Sequence, residues 1–161
     1  ADAVVENDVA RRGRPVELDA RRAVARDQVA RGAIRPADPV ARRLVELMNM
    51  GKSMDAIHEL YADNARHVEV MEAPWCPRII EGKQTLAKKA EEFYKNTTIH
   101  GASVGTPIVN GDQFILPMGL DCTCTVGPMA GQRMDMKETA LYTVKNGKIT
   151  EGKFFYGGCE G

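Results

Sequence analysis

Apolar and polar positions alternate most clearly near the end of the chain, where Arg133 to Val144 and Lys148 to Tyr156 read as two strands joined by Asn146-Gly147. Both turn residues tolerate positive φ, so an Asn-Gly pair between alternating runs predicts a tight hairpin. Before them, Thr98 to Val109 and Gln113 to Val126 predict two further strands, with turns at Asn110-Gly111 and Gly127 to Gly131. Upstream the period becomes helical. Asp38-Pro39 opens a helix, with Pro in the first turn where its missing N–H costs nothing. Val40, Leu44, Leu47 and Met48 form its apolar stripe up to Gly51. Ser53 is the expected cap of a short helix with Met54, Ile57, Leu60 and Tyr61 on its buried side. A strand over roughly Ala65 to Met71, an irregular loop from Glu72 to Glu81 and a helix from Thr85 to Tyr94 complete the body. Helices first and an antiparallel meander afterwards predict an α+β domain with the helices on one face of the sheet.

One position breaks the apolar pattern. Strand side chains alternate, so Met134, Met136, Glu138, Ala140 and Tyr142 share a face. Either that row meets solvent at Glu138, or a carboxylate lines a cavity. Pro117 interrupts the Gln113 strand in another way: it cannot donate a ladder hydrogen bond, and with Gly119 it marks a bulge or sharp bend. Such a bulge would turn Asp121 inward; without one, alternation points it away from the row of Leu116, Met118, Leu120 and Cys122.

Composition narrows the possible partners. The chain balances 22 basic against 22 acidic residues, which argues against nucleic acid. No apolar run approaches the roughly 18 residues that span a bilayer, and the start lacks the layout of a signal peptide, so a cytoplasmic protein without membrane attachment is expected. Four cysteines in 161 residues do not suggest a disulfide scaffold. Cys122-x-Cys124 is a weak zinc signal, and buried thiols are the favoured reading. Residues 1–36 hold eight Arg and no Lys, while the remainder holds nine Lys and five Arg. An Arg-rich arm over 1–37, with a helix from Pro15 to Arg31, is therefore expected ahead of a domain over 38–157 and a short tail, 158–161. The thin apolar face of that helix suits packing on the body or on a partner subunit.

The segments YADNARHVEV, RIIEGKQTLAKK and LYTVKNGKITEGKFFY resemble a SnoaL-like domain, a branch of the nuclear-transport-factor-2-like superfamily that includes polyketide cyclases, ketosteroid isomerase, scytalone dehydratase and limonene epoxide hydrolase. The resemblance spans about residues 38 to 157 and implies a cone: a strongly curved, mostly antiparallel sheet wrapped around the helices, with one deep apolar pocket. It implies inward positions for His67, Glu69 and Met71, for Leu116, Met118, Leu120 and Cys122, for Met134, Met136, Glu138 and Ala140, and for Phe154 and Tyr156. Trp75 falls in a loop at the implied pocket mouth, as a lid, an aromatic wall or plain packing. The epoxide hydrolase acids and arginine would fall near Leu120, Phe154 and Met118, all apolar, so that chemistry is not expected. The outer sheet face, with Ile115, Thr123, Thr125, Thr139, Leu141 and Thr143, is implied as a homodimer surface.

What remains facing the implied pocket is His67, Glu69 and Glu138. A carboxylate among Met118, Leu120, Met134 and Met136 would have a raised pKa through desolvation and would suit proton transfer beside a carbonyl. Glu138 and Glu69 are thus expected to share proton transfer, with His67 orienting or assisting, and with Met118, Leu120, Cys122, Met134, Met136, Trp75, Phe154 and Tyr156 around a small apolar or polycyclic ligand. The competing reading pairs both glutamates with His67, Arg66 or Lys137 as a structural network. A facial metal triad has no dedicated ligand spacing here, and neither a metal nor a cofactor is expected. His58 reads as a core or boundary histidine and His100 as exposed. The functional expectation is isomerase, cyclase or dehydratase chemistry, against a non-catalytic ligand-binding or assembly module.

Overall fold

The computed structural model describes residues 35–70, 72 and 77–157. The predicted Pro15 to Arg31 helix, Met71, Trp75, Cys76 and the tail lie outside the described residues. The elements run α1 (Asp38–Asn49), α2 (Ser53–Leu60), β1 (Tyr61–Val68), β2 (Ile79–Glu81), α3 (Lys83–Lys95), β3 (Thr97–Val104), β4 (Ile108–Asn110), β5 (Gln113–Cys124), β6 (Arg133–Lys145) and β7 (Lys148–Tyr156). The strands form one seven-stranded sheet in the order β2-β1-β7-β6-β5-β3, with β4 also on β5. All pairings are antiparallel except β1 with β7. The sheet is curled and unclosed, and with the three helices it forms the expected α+β cone.

Several boundaries differ from the sequence reading. The short helix stops at Leu60 and Tyr61 begins the strand, because Tyr suits a half-buried pleated surface and the following Asp63-Asn64 pair disfavours helix. Lys52, not Ser53, occupies the cap position of α2, and no side chain caps it. The expected Thr98 to Val109 strand is two strands, interrupted over residues 105–107. That break lies opposite Pro117, whose carbonyl accepts the Gly105 N–H at 2.8 Å. A strand residue's N–H and C=O point to the same neighbour, so the missing N–H of Pro117 faces the gap. No bulge forms on the other side: the β5–β6 register runs without a shift from Gln113↔Thr143 to Thr123↔Arg133. The Asn146-Gly147 turn is as expected, with φ of 51° and 72°.

The core lies between the inner sheet face and the helices. Phe114, Leu116, Ala140, Tyr142, Val144 and Ile149 meet Leu44, Leu47, Leu60 and Leu86. Burying each large side chain contributes roughly 1.5–3 kcal/mol. α1 and α2 are also joined by a two-pronged ion pair, Arg43 Nε and Nη2 to Glu59 at 2.7 and 2.9 Å.

An aromatic layer crosses the sheet in register. His67 pairs with Gly152, Gly152 with Tyr142, and Tyr142 with Phe114. Tyr142 stacks on Phe114 at 4.9 Å, and His67 meets Phe154 edge-on at 4.7 Å. A methyl group on Gly152 would stand 3.1 Å from Tyr142 and 3.3 Å from His67, so the absent side chain makes room for both rings. Gly152→Ala is expected to lower stability by about 1–3 kcal/mol, read as a lower urea midpoint with an unchanged slope.

Candidate functional site

Register decides which side chains face inward. Directly opposed residues of neighbouring strands share a face, and the pairs are Leu116↔Ala140, Met118↔Glu138, Leu120↔Met136 and Cys122↔Met134. On the far side of β6, Glu138 faces Tyr156 and Ala140 faces Phe154. The expected row is therefore one continuous inner surface. Cys122 is 0% exposed, whereas Met118, Leu120, Met134, Met136, Phe154 and Tyr156 are half-buried. Asp121 lies on the opposite face, where Arg133 binds both its oxygens at 2.8 and 2.6 Å.

The two glutamates have different environments. Glu69, 8% exposed, accepts from Lys89 Nζ of α3 at 2.5 Å and from the Tyr156 hydroxyl at 3.3 Å. Glu138 is half-buried and accepts no hydrogen bond from the described residues. Burial, then the negative charge of Glu69, raises the Glu138 carboxyl above the usual carboxylate range, with Lys89 opposing. None of the three expected structural partners bonds it: Arg66 bonds Glu151 at 2.6 Å, Lys137 bonds Asp135 at 2.7 Å, and His67 meets the Tyr61 hydroxyl at 3.4 Å.

His67 is held among rings, 4.7 Å from Phe154 and 5.5 Å from Tyr61, with Nε2 3.4 Å from the Tyr61 hydroxyl. Burial, aided by the charge of Lys89, pushes the imidazole down to about 3, so it is neutral at physiological pH. It hydrogen-bonds neither glutamate among the described residues. Tyr61 and Tyr142 are buried beside His67 and Phe154, and burial raises both phenols. His58, expected at the core or its boundary, is exposed because α2 turns its opposite side, with Ala56, Ile57 and Leu60, to the core. His100 is exposed as expected, bonding Thr123 at 2.8 Å.

Lys89 is the residue that sequence reasoning missed. It lies three residues after Leu86 and four before Phe93, within the stripe that α3 turns to the sheet, and that spacing was the available signal. Among the described residues no three His, Cys, Asp or Glu side chains cluster as metal ligands. A cleft of about 400 Å³ opens where β3 ends, touching Ser103, Gly105, Pro117, Met118, Glu138 and Thr139. By register Ser103, Pro117 and Thr139 belong to the outer face and Met118 and Glu138 to the inner row, so this cleft lies at the strand break and borders the Glu138 end of the inner surface.

A family model described as a SnoaL-like domain matches residues 36–156. A solved structure of a candidate SnoaL-like polyketide cyclase from Mesorhizobium loti is 40% identical, with a TM-score of 0.68 over 73% of this chain and 97% of that one. A candidate isomerase from Bacillus subtilis is 17% identical, TM-score 0.60, over 78% and 89% of the two chains. An LEH-like epoxide hydrolase from M. tuberculosis is 12% identical, TM-score 0.57, over 76% and 83%. The last two similarities concern the fold alone. A search of curated proteins found no match. No helix among the described residues is long and apolar enough to cross a membrane.

The environment of His67 has a consequence for acid stability. Its folded value lies below the ordinary 6.5, so between pH 6.5 and about 3 the unfolded chain binds a proton that the folded chain refuses. Stability from this group is complete above that window and declines as pH falls through it. His67→Phe is expected to flatten this part of the profile and move the acid-unfolding midpoint to lower pH, measured by circular dichroism across a pH series.

Proposed function

Because the chain belongs to the SnoaL-like domain family, we propose that it is a small-molecule enzyme working by general acid/base catalysis, of isomerase, cyclase or dehydratase type. The observation that carries this reading is Glu138: a half-buried carboxyl, raised by burial and by Glu69, with no hydrogen bond from the described residues and set between Met118 and Tyr156. A carboxylate of that kind is a stronger base than an exposed one and remains open to a substrate.

In the proposed reaction, a Glu138 oxygen removes a proton from a carbon beside a carbonyl. The electron pair of that C–H bond moves into the new C=C bond, and the carbonyl oxygen takes the negative charge. Returning the proton from Glu138 to a different carbon gives an isomer. Attack of the enolate carbon on a second carbonyl closes a ring instead. Met118, Leu120, Met134, Met136 and Phe154 offer apolar surface to a flat ligand, and thioethers adapt to such shapes. Glu69 is fixed by Lys89 and Tyr156 and so has a supporting part rather than an equal share in the proton transfer. Neutral, ring-packed His67 orients that wall.

A homodimer through the outer face belongs to the same reading. Ile108, Ile115 and Leu141 form one cross-strand row there, and Phe155 is exposed beside it. Sedimentation equilibrium is expected to give twice the chain mass, and a monomer at micromolar concentration would remove this part.

The chemistry is tested by proton exchange. Cyclic unsaturated ketones and β-diketones are incubated with the protein in D2O, and deuterium uptake beside the carbonyl is followed by NMR. Glu138→Gln is expected to slow exchange by about 10²–10⁴-fold, and the wild-type rate should rise with pH through the raised Glu138 value. Exchange that survives in Glu138→Gln would reject Glu138 as the base. Stable ligand capture with no exchange in the wild type would favour a binding module.

A further inference from the structure

Lys89 is a half-exposed residue on a helix, yet its ammonium is directed inward at the sheet, 2.5 Å from Glu69 Oε1. Glu69 holds the Tyr156 hydroxyl on its other oxygen, 3.3 Å away. Tyr156 is the register partner of Glu138. The chain Lys89–Glu69–Tyr156 therefore joins α3, the residue that follows β1, and β7, and ends beside the carboxyl that the proposed reaction uses.

We propose that Lys89 is a positioning residue of the acid/base centre: it clamps Glu69 in one orientation behind Tyr156 and so governs the charge that faces Glu138. The inference rests on the acid/base reading of Glu138 above. A lone Glu69 in the same place would have two ways to relieve its burial. It could turn away towards water, or it could take up a proton and share it with Glu138 as a coupled pair. With Lys89 in place neither is favoured, because the ion pair at 2.5 Å keeps that carboxylate directed at the tyrosine.

Other groups near Glu138 do not offer the same control. Tyr61 on β1 and Tyr142 on β6 are buried phenols raised further above their ordinary range by the glutamates, so they stay neutral as Glu138 titrates. His67 on β1 is neutral. Tyr156 on β7 is a hydrogen-bonding partner of Glu69. Among the described residues, that leaves Glu69 and Lys89 as the charges acting on Glu138, with opposite signs: Glu69 pushes its carboxyl up and Lys89 draws it down.

The test needs no substrate. The full chain is labelled with glutamate bearing 13C at the side-chain carboxyl, and Glu138 is titrated by NMR in the wild type, Lys89→Met, Lys89→Arg and Glu69→Gln. Lys89→Met is expected to raise the Glu138 midpoint by about one pH unit and to make its curve biphasic, as two carboxyls begin to share a proton. Glu69→Gln is expected to lower the midpoint towards the ordinary carboxylate range, and Lys89→Arg to keep it near wild type. Loosened packing alone would hydrate Glu138 and lower its midpoint in both Lys89→Met and Glu69→Gln. A lowered or unmoved midpoint in Lys89→Met would therefore overturn the proposal. Should Lys89→Met not fold, Lys89→Gln, which removes the charge but keeps a polar head, is read by the same rule: a raised midpoint supports the proposal and a lowered or unmoved one overturns it. An ordinary Glu138 midpoint in the wild type would instead count against the acid/base reading itself.

Discussion

The uninterrupted register between β5 and β6 is the constraint on which the rest of the site depends. From Gln113↔Thr143 to Thr123↔Arg133 no residue is inserted on either strand, so every side chain along both strands keeps its face. One bulge would exchange Asp121 for Leu120, and Lys137 or Thr139 for Glu138, on the inner surface. Pro117 threatens this register, since it withholds a donor in mid-strand. The threat is met on the neighbouring side, where the partner backbone stops over residues 105–107 and asks for no donor. The irregularity is thus confined to the sheet margin, and the ladder that carries Glu138 stays regular.

Given that regularity, the electrostatics follow from what the inner surface can reach. Two carboxyls lie near each other in a poorly hydrated place, and among the described residues only Glu69 is paired with a cation. The ion pair at Glu69 and the open carboxyl at Glu138 are therefore complementary, because the ionised state of the first is part of why the second resists ionisation. The aromatic layer supplies the low-polarity surroundings, and Gly152 lets Tyr142 and His67 approach one strand from both sides.

Much of this was legible in the chain itself. Two-residue alternation placed Met118, Leu120, Cys122, Met134, Met136 and Glu138 on one face, and Asn146-Gly147 fixed the hairpin that aligns β6 with β7. The three-residue strand β2 was not legible, since Ile79-Ile80-Glu81 is too short to display a period. The switch from α2 to β1 was misplaced because Tyr61 satisfies both the helical stripe and the strand that follows. Lys89 escaped notice for a more general reason. A lysine on a surface helix is by default solvated, and only the three-dimensional position of Glu69 makes its inward direction favourable. Which of two glutamates is paired is a property of contacts between distant segments, and alternation within a strand carries no such information.

The parallel pairing of β1 with β7 also bears on when the site comes into being. β1 carries His67 and leads directly to Glu69, β6 carries Glu138, and the strand that lies between them in the sheet is the last to be made. Until β7 inserts, β1 and β6 have no common neighbour, and closing that gap spans about half of the chain. A nascent or partly folded chain can form the β5–β6 ladder and the helices while Glu69 and Glu138 remain apart. Assembly of the inner surface is then a late event on the folding path.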